Sequence, residues 1–140
     1  MKYVVHQKHL GAIFHEMIKD FDILTIDKKN VFKYESIYMD TPEHDFYHAH
    51  NRGEKDRIKV RTRRYMDSDL TFFEFKHRDH DVVRKYRYAI DMSQHGQVDE
   101  TAKRFVRDTH NAIYGTDFEK ELVPSMVTKY KRITLVHKNG

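Results

Sequence analysis

The sequence has 140 residues, no cysteine and no tryptophan, which is the length of one domain with a real core and leaves out a disulfide scaffold and a thiolate zinc site. With 39% hydrophobic and 13% aromatic residues a disordered chain is excluded, and no apolar run reaches the ~18–20 residues of a membrane span. Twenty-six Lys and Arg against 22 Asp and Glu give a net charge of +4, too small to mark a nucleic-acid binder by itself, so the expectation is a cytoplasmic globular chain in which charge placement carries the information.

In chain order, Leu10, Ile13, Phe14, Met17, Ile18, Phe21 and Leu24 recur at spacings of three and four, which predicts one amphipathic helix over residues 5–24. Residues 27–30 read as a turn. Residues 31–40, rich in β-branched and aromatic side chains, predict a strand that stops at Asp40-Thr41-Pro42. Residues 43–50 form a short helix or loop before a turn at Asn51-Arg52-Gly53. Strands follow at 57–65, 70–77 and 82–90, and their short polar connections predict antiparallel hairpins. After a loop at 94–97, the spacing of Ala102, Phe105, Val106, Thr109 and Ile113 predicts a helix capped by Asp99. A last strand is predicted over 126–136. The order describes an α+β protein on an antiparallel sheet with flanking helices, one domain over residues 1–140.

Successive strand side chains point to opposite faces. Over residues 57–65 this puts Arg57, Lys59, Arg61 and Arg63 on one face and Ile58, Val60, Thr62 and Arg64 on the other. In the next two strands Glu74 and Lys76 share a face, as do Lys85 and Arg87, while Phe73, Phe75, Tyr86 and Tyr88 lie opposite; Tyr130 and Arg132 fall together in the last strand. With the aromatic faces turned to one core, Lys59, Arg61, Arg63, Lys76, Lys85, Arg87 and Arg132 crowd onto one surface. Like charges opposed across strands destabilise a sheet unless something compensates them. A multiply charged anion does so, and Arg suits bidentate contact with phosphate. The plain alternative is a solvated polar face.

Other signals are weaker. His44 and His48, at i and i+4 and close to His50, suggest a metal without supplying a third ligand on another element. Glu74 is a candidate metal ligand or a partner for Lys76 or Arg61. No glycine-rich phosphate loop and no nucleophile-elbow serine is present. The aromatics Phe72, Phe73, Phe75, Tyr86 and Tyr88 raise an RNA-binding sheet, but rings and cations largely alternate in the sequence, so nucleic acid is not the expected partner.

Five ordered motifs then carry a resemblance: Tyr38-Met39-Asp40-Thr41, Phe46-Tyr47, Asn51-Arg52-Gly53, Arg61-Thr62-Arg63-Arg64-Tyr65 and Glu74-Phe75-Lys76. Together they resemble the catalytic domain of the VTC (vacuolar transporter chaperone) polyphosphate polymerase family, with Met1-Lys2-Tyr3, Lys85-Tyr86-Arg87 and Tyr130-Lys131-Arg132 fitting more loosely. The resemblance implies a triphosphate tunnel, a closed antiparallel barrel with inward basic side chains. ATP and inorganic polyphosphate or triphosphate would be its ligands, and phosphoryl transfer with a divalent metal, manganese or magnesium, its chemistry. Carried onto this chain, Lys2, Arg61, Arg63, Lys76, Lys85, Tyr130 and Arg132 line the phosphate site, with Arg61, Arg63 and Lys76 as catalytic candidates. The chain begins at the lysine of the family's first strand and ends after the Tyr-x-Arg strand. The expectation is therefore a partial tunnel with open edges and an incomplete metal site, which reaches to a non-catalytic polyphosphate- or nucleotide-binding module and to self-association. Replacing Arg61, Arg63 or Lys76 by alanine is expected to weaken triphosphate binding with little loss of stability, since each change also removes repulsion.

Overall fold

The structure, a computed structural model, describes residues 3–140, so Lys2 lies outside the described residues. After a 3₁₀ turn at Gln7–His9 come α1 (Leu10–Met17), β1 (Phe21–Ile23), β2 (Phe32–Asp40), α2 (Asp45–Asn51) and the strands β3 (Asp56–Tyr65), β4 (Leu70–Asp79) and β5 (Val82–Ala89). A second 3₁₀ turn, Met92–Gln94, leads to α3 (Glu100–Tyr114), β6 (Val123–Arg132) and β7 (Leu135–His137). The elements fall into two units: the chain up to Phe32 with Lys131–Gly140, and Lys33–Tyr130.

In the smaller unit, β1 pairs antiparallel with β7, Phe21 opposite His137 and Ile23 opposite Leu135. This corrects two expectations. The helix predicted to run to Leu24 ends at Met17, and the strand predicted over 126–136 breaks between Arg132 and Leu135. The cause is pairing with a segment over a hundred positions away, which a local spacing cannot register. Lys138 donates its backbone N–H to the Asp20 carbonyl (2.9 Å) and its Nζ to that of Ile18 (2.7 Å), while Leu24 N–H reaches the Thr134 carbonyl at 2.9 Å. The predicted turn is present as Asp27 and Lys28, both at positive φ, between the doubly hydrogen-bonded Ile26 and Lys29.

In the larger unit the sheet order is β5-β4-β3-β2-β6. Short connections force antiparallel neighbours, as the sequence predicted. Residue 80 turns β4 into β5 with His80 at φ 53°. Because β5 and β6 are the outer strands, the sheet is open rather than the closed barrel that the resemblance implied. One face is buried: Ile58, Val60, Phe73 and Phe75 pack with Met39, and α3 lays Ala102 and Val106 against them. Phe105 adds ring contacts to Phe73 and Tyr88 at 5.9 and 4.9 Å. Asp99 caps α3 by accepting from Ala102 N–H at 2.8 Å, as predicted. With α3 on this side, the opposite face of the sheet is left to its charged residues.

The proline turn after β2 is organised by a buried carboxylate. Asp40 accepts backbone N–H groups from Thr41 (2.8 Å), Phe46 (2.9 Å) and Tyr47 (2.9 Å), tying the start of α2 to the end of β2. His44, in the left-handed region at φ 59°, caps nothing with its own side chain. Asp40→Ala leaves three donors without that acceptor and is expected to cost about 2 kcal/mol, the upper end for helix caps, read as a lowered urea midpoint at unchanged slope.

Candidate functional site

The hairpin registers place the predicted cations in two adjacent rows. Lys59, Lys76 and Lys85 lie directly opposite one another across β3, β4 and β5, and Arg61, Glu74 and Arg87 form the neighbouring row. The next row begins with Ser36 and Arg63 and continues to Phe72. Neighbouring strands run ~4.8 Å apart, so the three ammonium stems leave the sheet side by side. Burial lowers the Lys76 pKa most, and the charges of Arg61 and, less strongly, Arg63 push it the same way.

Glu74 is 1% exposed and sits at the centre of the face. Its Oε2 accepts from Arg61 Nε at 2.7 Å and faces Arg61 Nη2 at 2.6 Å, and the Arg61 side chain is 14% exposed. Arg61 Nη1 donates to the Tyr38 hydroxyl at 3.0 Å. Burial pulls the Arg61 pKa down, but the charge and hydrogen bonds of Glu74 outweigh it and leave the pKa raised. The expectation that Arg61→Ala would spare stability is corrected here: Arg61 is half of a buried ion pair, and removing it strands the Glu74 carboxylate even as it relieves Lys76. Arg63 hydrogen-bonds Ser36 Oγ through Nε at 3.0 Å, and Arg87, exposed on the outer strand, lies 4.4 Å over the Phe72 ring.

Of the other predicted residues, Tyr130 joins this face by stacking on Tyr34, ring centroids 5.1 Å apart at 13°. Arg132 is exposed at the end of β6, in the smaller unit. The separation of rings and cations holds for Phe73 and Phe75 but not for Phe72, Tyr34 and Tyr130, which meet the arginines on the open face, with Tyr65 packed against the Tyr34 and Phe72 rings. Sequence reasoning missed Tyr34, Ser36 and Tyr38 on this face. Their alternation in β2 matched that of β3, and only the register, Ser36 opposite Arg63 and Tyr38 opposite Arg61, shows which side they take.

Glu74, the candidate metal ligand, is already committed to a partner within the protein. Glu74 Oε1 is buried without a hydrogen-bond partner among the described residues, but the same carboxylate is bound to Arg61 and opposed by Arg87. Among the described residues no three His, Asp or Glu side chains converge, and His44 and His48 gain no third ligand from another element. A cleft of about 630 Å³ between α2 and the end of α3 is a different place. Its charges are largely matched within the protein, Lys120 with Asp45 at 2.6 Å and Arg52 with Glu54 at 2.6 Å.

No helix of the described residues is long and apolar enough to cross a membrane. A search of curated proteins finds no match. The model of the VTC domain family matches residues 1–140, the whole sequence: the chain belongs to the VTC domain family.

Proposed function

We propose that the open face of the sheet binds a linear chain of phosphates, inorganic polyphosphate or the triphosphate of ATP. The observation that carries this reading is the row of Lys59, Lys76 and Lys85 in direct register beside a row holding Arg61 and Arg87. The Lys76 and Lys85 ammonium groups, opposed across neighbouring strands, repel in the absence of a ligand, and a polyanion turns the repulsion into attraction at several points at once. Arg63 extends the surface with a fork that matches phosphate oxygens. Phosphoryl transfer between ATP and a growing phosphate chain would ask the same cations for positioning and for stabilisation of charge on the transferred group. A second reading, binding without turnover, is favoured by one feature: Glu74, the carboxylate in the middle of the face, is held by Arg61 rather than placed to accept a substrate proton.

Calorimetric titration of the purified chain with tripolyphosphate at two salt concentrations tests the site. Binding that weakens as salt rises is expected, because the contacts are exposed enough to be screened. A folded chain that does not bind tripolyphosphate would overturn the reading. Repeating the titration with manganese, followed by ATP turnover, separates the enzyme from the binding module: polyphosphate or orthophosphate formed from ATP supports transfer, and binding alone supports the second reading.

A further inference from the structure

Arg61 and Arg63 project from the same strand onto the same face, yet they are held in different ways. Arg61 has its Nε and Nη2 on Glu74 and its Nη1 on Tyr38. Arg63 donates through Nε to Ser36 Oγ, and its guanidinium carbon lies 5.7 Å from the ring centroid of Tyr34 and 5.8 Å from that of Tyr130. Those two rings stack at 13°, and Tyr65 braces Tyr34 with an edge-on contact at 5.0 Å. No hydrogen-bond partner among the described residues takes the Arg63 Nη groups. The ring surfaces are therefore engaged by a guanidinium and by one another, which serves base stacking poorly and fixes an arginine well.

We propose that Tyr34 is a positioning residue for the phosphate site, holding Arg63 so that both Nη groups face the ligand. The proposal rests on the reading of the basic face as a phosphate site. An arginine already held at Nε and against a ring loses less rotamer freedom when it grips an anion, so the clamp raises affinity without touching the ligand. The grip depends on the aromatic face and not on the phenol hydroxyl. Phenylalanine therefore preserves it and leucine does not. The cation–π contact is of the size that sets an expected loss of about fivefold in affinity.

The test is a coupled set of tripolyphosphate titrations with the wild-type chain, Tyr34→Phe, Tyr34→Leu, Arg63→Ala and the double variant Tyr34→Leu/Arg63→Ala. Expected are near-wild-type affinity for Tyr34→Phe, about fivefold loss for Tyr34→Leu, and no further loss when Tyr34→Leu is added to Arg63→Ala. Equal losses from Tyr34→Leu in both backgrounds, or none while Arg63→Ala weakens binding, overturn the clamp and leave the phosphate site standing. A folded wild-type chain without tripolyphosphate affinity overturns the site and the clamp together. Should Tyr34→Leu fail to fold, the Arg63 Nε–H resonance of the wild-type chain, assigned by its loss in Arg63→Lys, decides. A ring-current-shifted, protected signal supports the clamp and a random-coil signal overturns it.

Discussion

Arg61→Ala is expected to lose about 3–5 kcal/mol of folding stability, the range for breaking a buried ion pair by removing one partner. Glu74 is 1% exposed, and its bound oxygen has Arg61 Nη2 at 2.6 Å. With Arg61 gone the carboxylate keeps its burial and loses its counter-charge. Its other oxygen already lacks a hydrogen-bond partner among the described residues, so no second contact softens the loss. Domains of this size hold roughly 5–15 kcal/mol in all, so the change removes a large part of it. Urea denaturation reads the effect directly. The pair change Arg61→Met with Glu74→Leu should recover most of the loss, because apolar groups of similar volume replace a buried pair at little cost. Arg63→Ala, which breaks one hydrogen bond to Ser36 and the contacts with the Tyr34 and Tyr130 rings but no ion pair, should cost about 1–2 kcal/mol. A loss for Arg61→Ala no greater than that for Arg63→Ala would show that water reaches the pair and that it behaves as a surface contact.

How far the sequence could be read follows from the range of each interaction. The alternation from Arg57 to Arg63 assigns faces locally, and short connections fix β3, β4 and β5 as antiparallel neighbours, so the lysine row of 59, 76 and 85 follows from counting residues through two hairpins. The fate of Phe21 to Ile23 does not follow in this way: their spacing continues the helical stripe, and their partner strand starts at Leu135. The stacking of Tyr34 on Tyr130 likewise joins two strands far apart in sequence. The pairing of Arg61 with Glu74 was one alternative among several in the sequence, for another reason. Periodicity reported that Glu74 shares its face, but whether Arg61 is left for an anion or is neutralised by Glu74 depends on a one-to-one register and on burial. Local rules thus recovered where the charges are and left open which of them are already answered by the protein.

Lys76→Met is expected to move stability and binding in opposite directions. The Lys76 pKa is lowered, chiefly by burial and then by Arg61, with Glu74 and Tyr38 opposing the shift. A lysine whose folded pKa lies below its unfolded value binds its proton more weakly in the native state. The fold therefore carries a penalty at neutral pH that is relieved as pH rises through the lowered pKa toward the ordinary 10.5. Methionine keeps the apolar stem and removes the charge. Because Lys76 is partly exposed, solvent screening limits the gain, and the melting temperature of the ligand-free chain should rise by on the order of 1–2 °C. The same change deletes the middle ammonium of the row and should weaken tripolyphosphate binding by about tenfold, the size of one charge-assisted contact. The pH profile supplies the internal check. The wild-type chain should gain stability with rising pH in the window below 10.5, and should lose affinity for tripolyphosphate across the same window as the ammonium deprotonates. Both slopes should flatten in Lys76→Met. Parallel loss of stability and affinity would place Lys76 among the structural contacts of the sheet; opposed changes are what a cation held for a ligand should give.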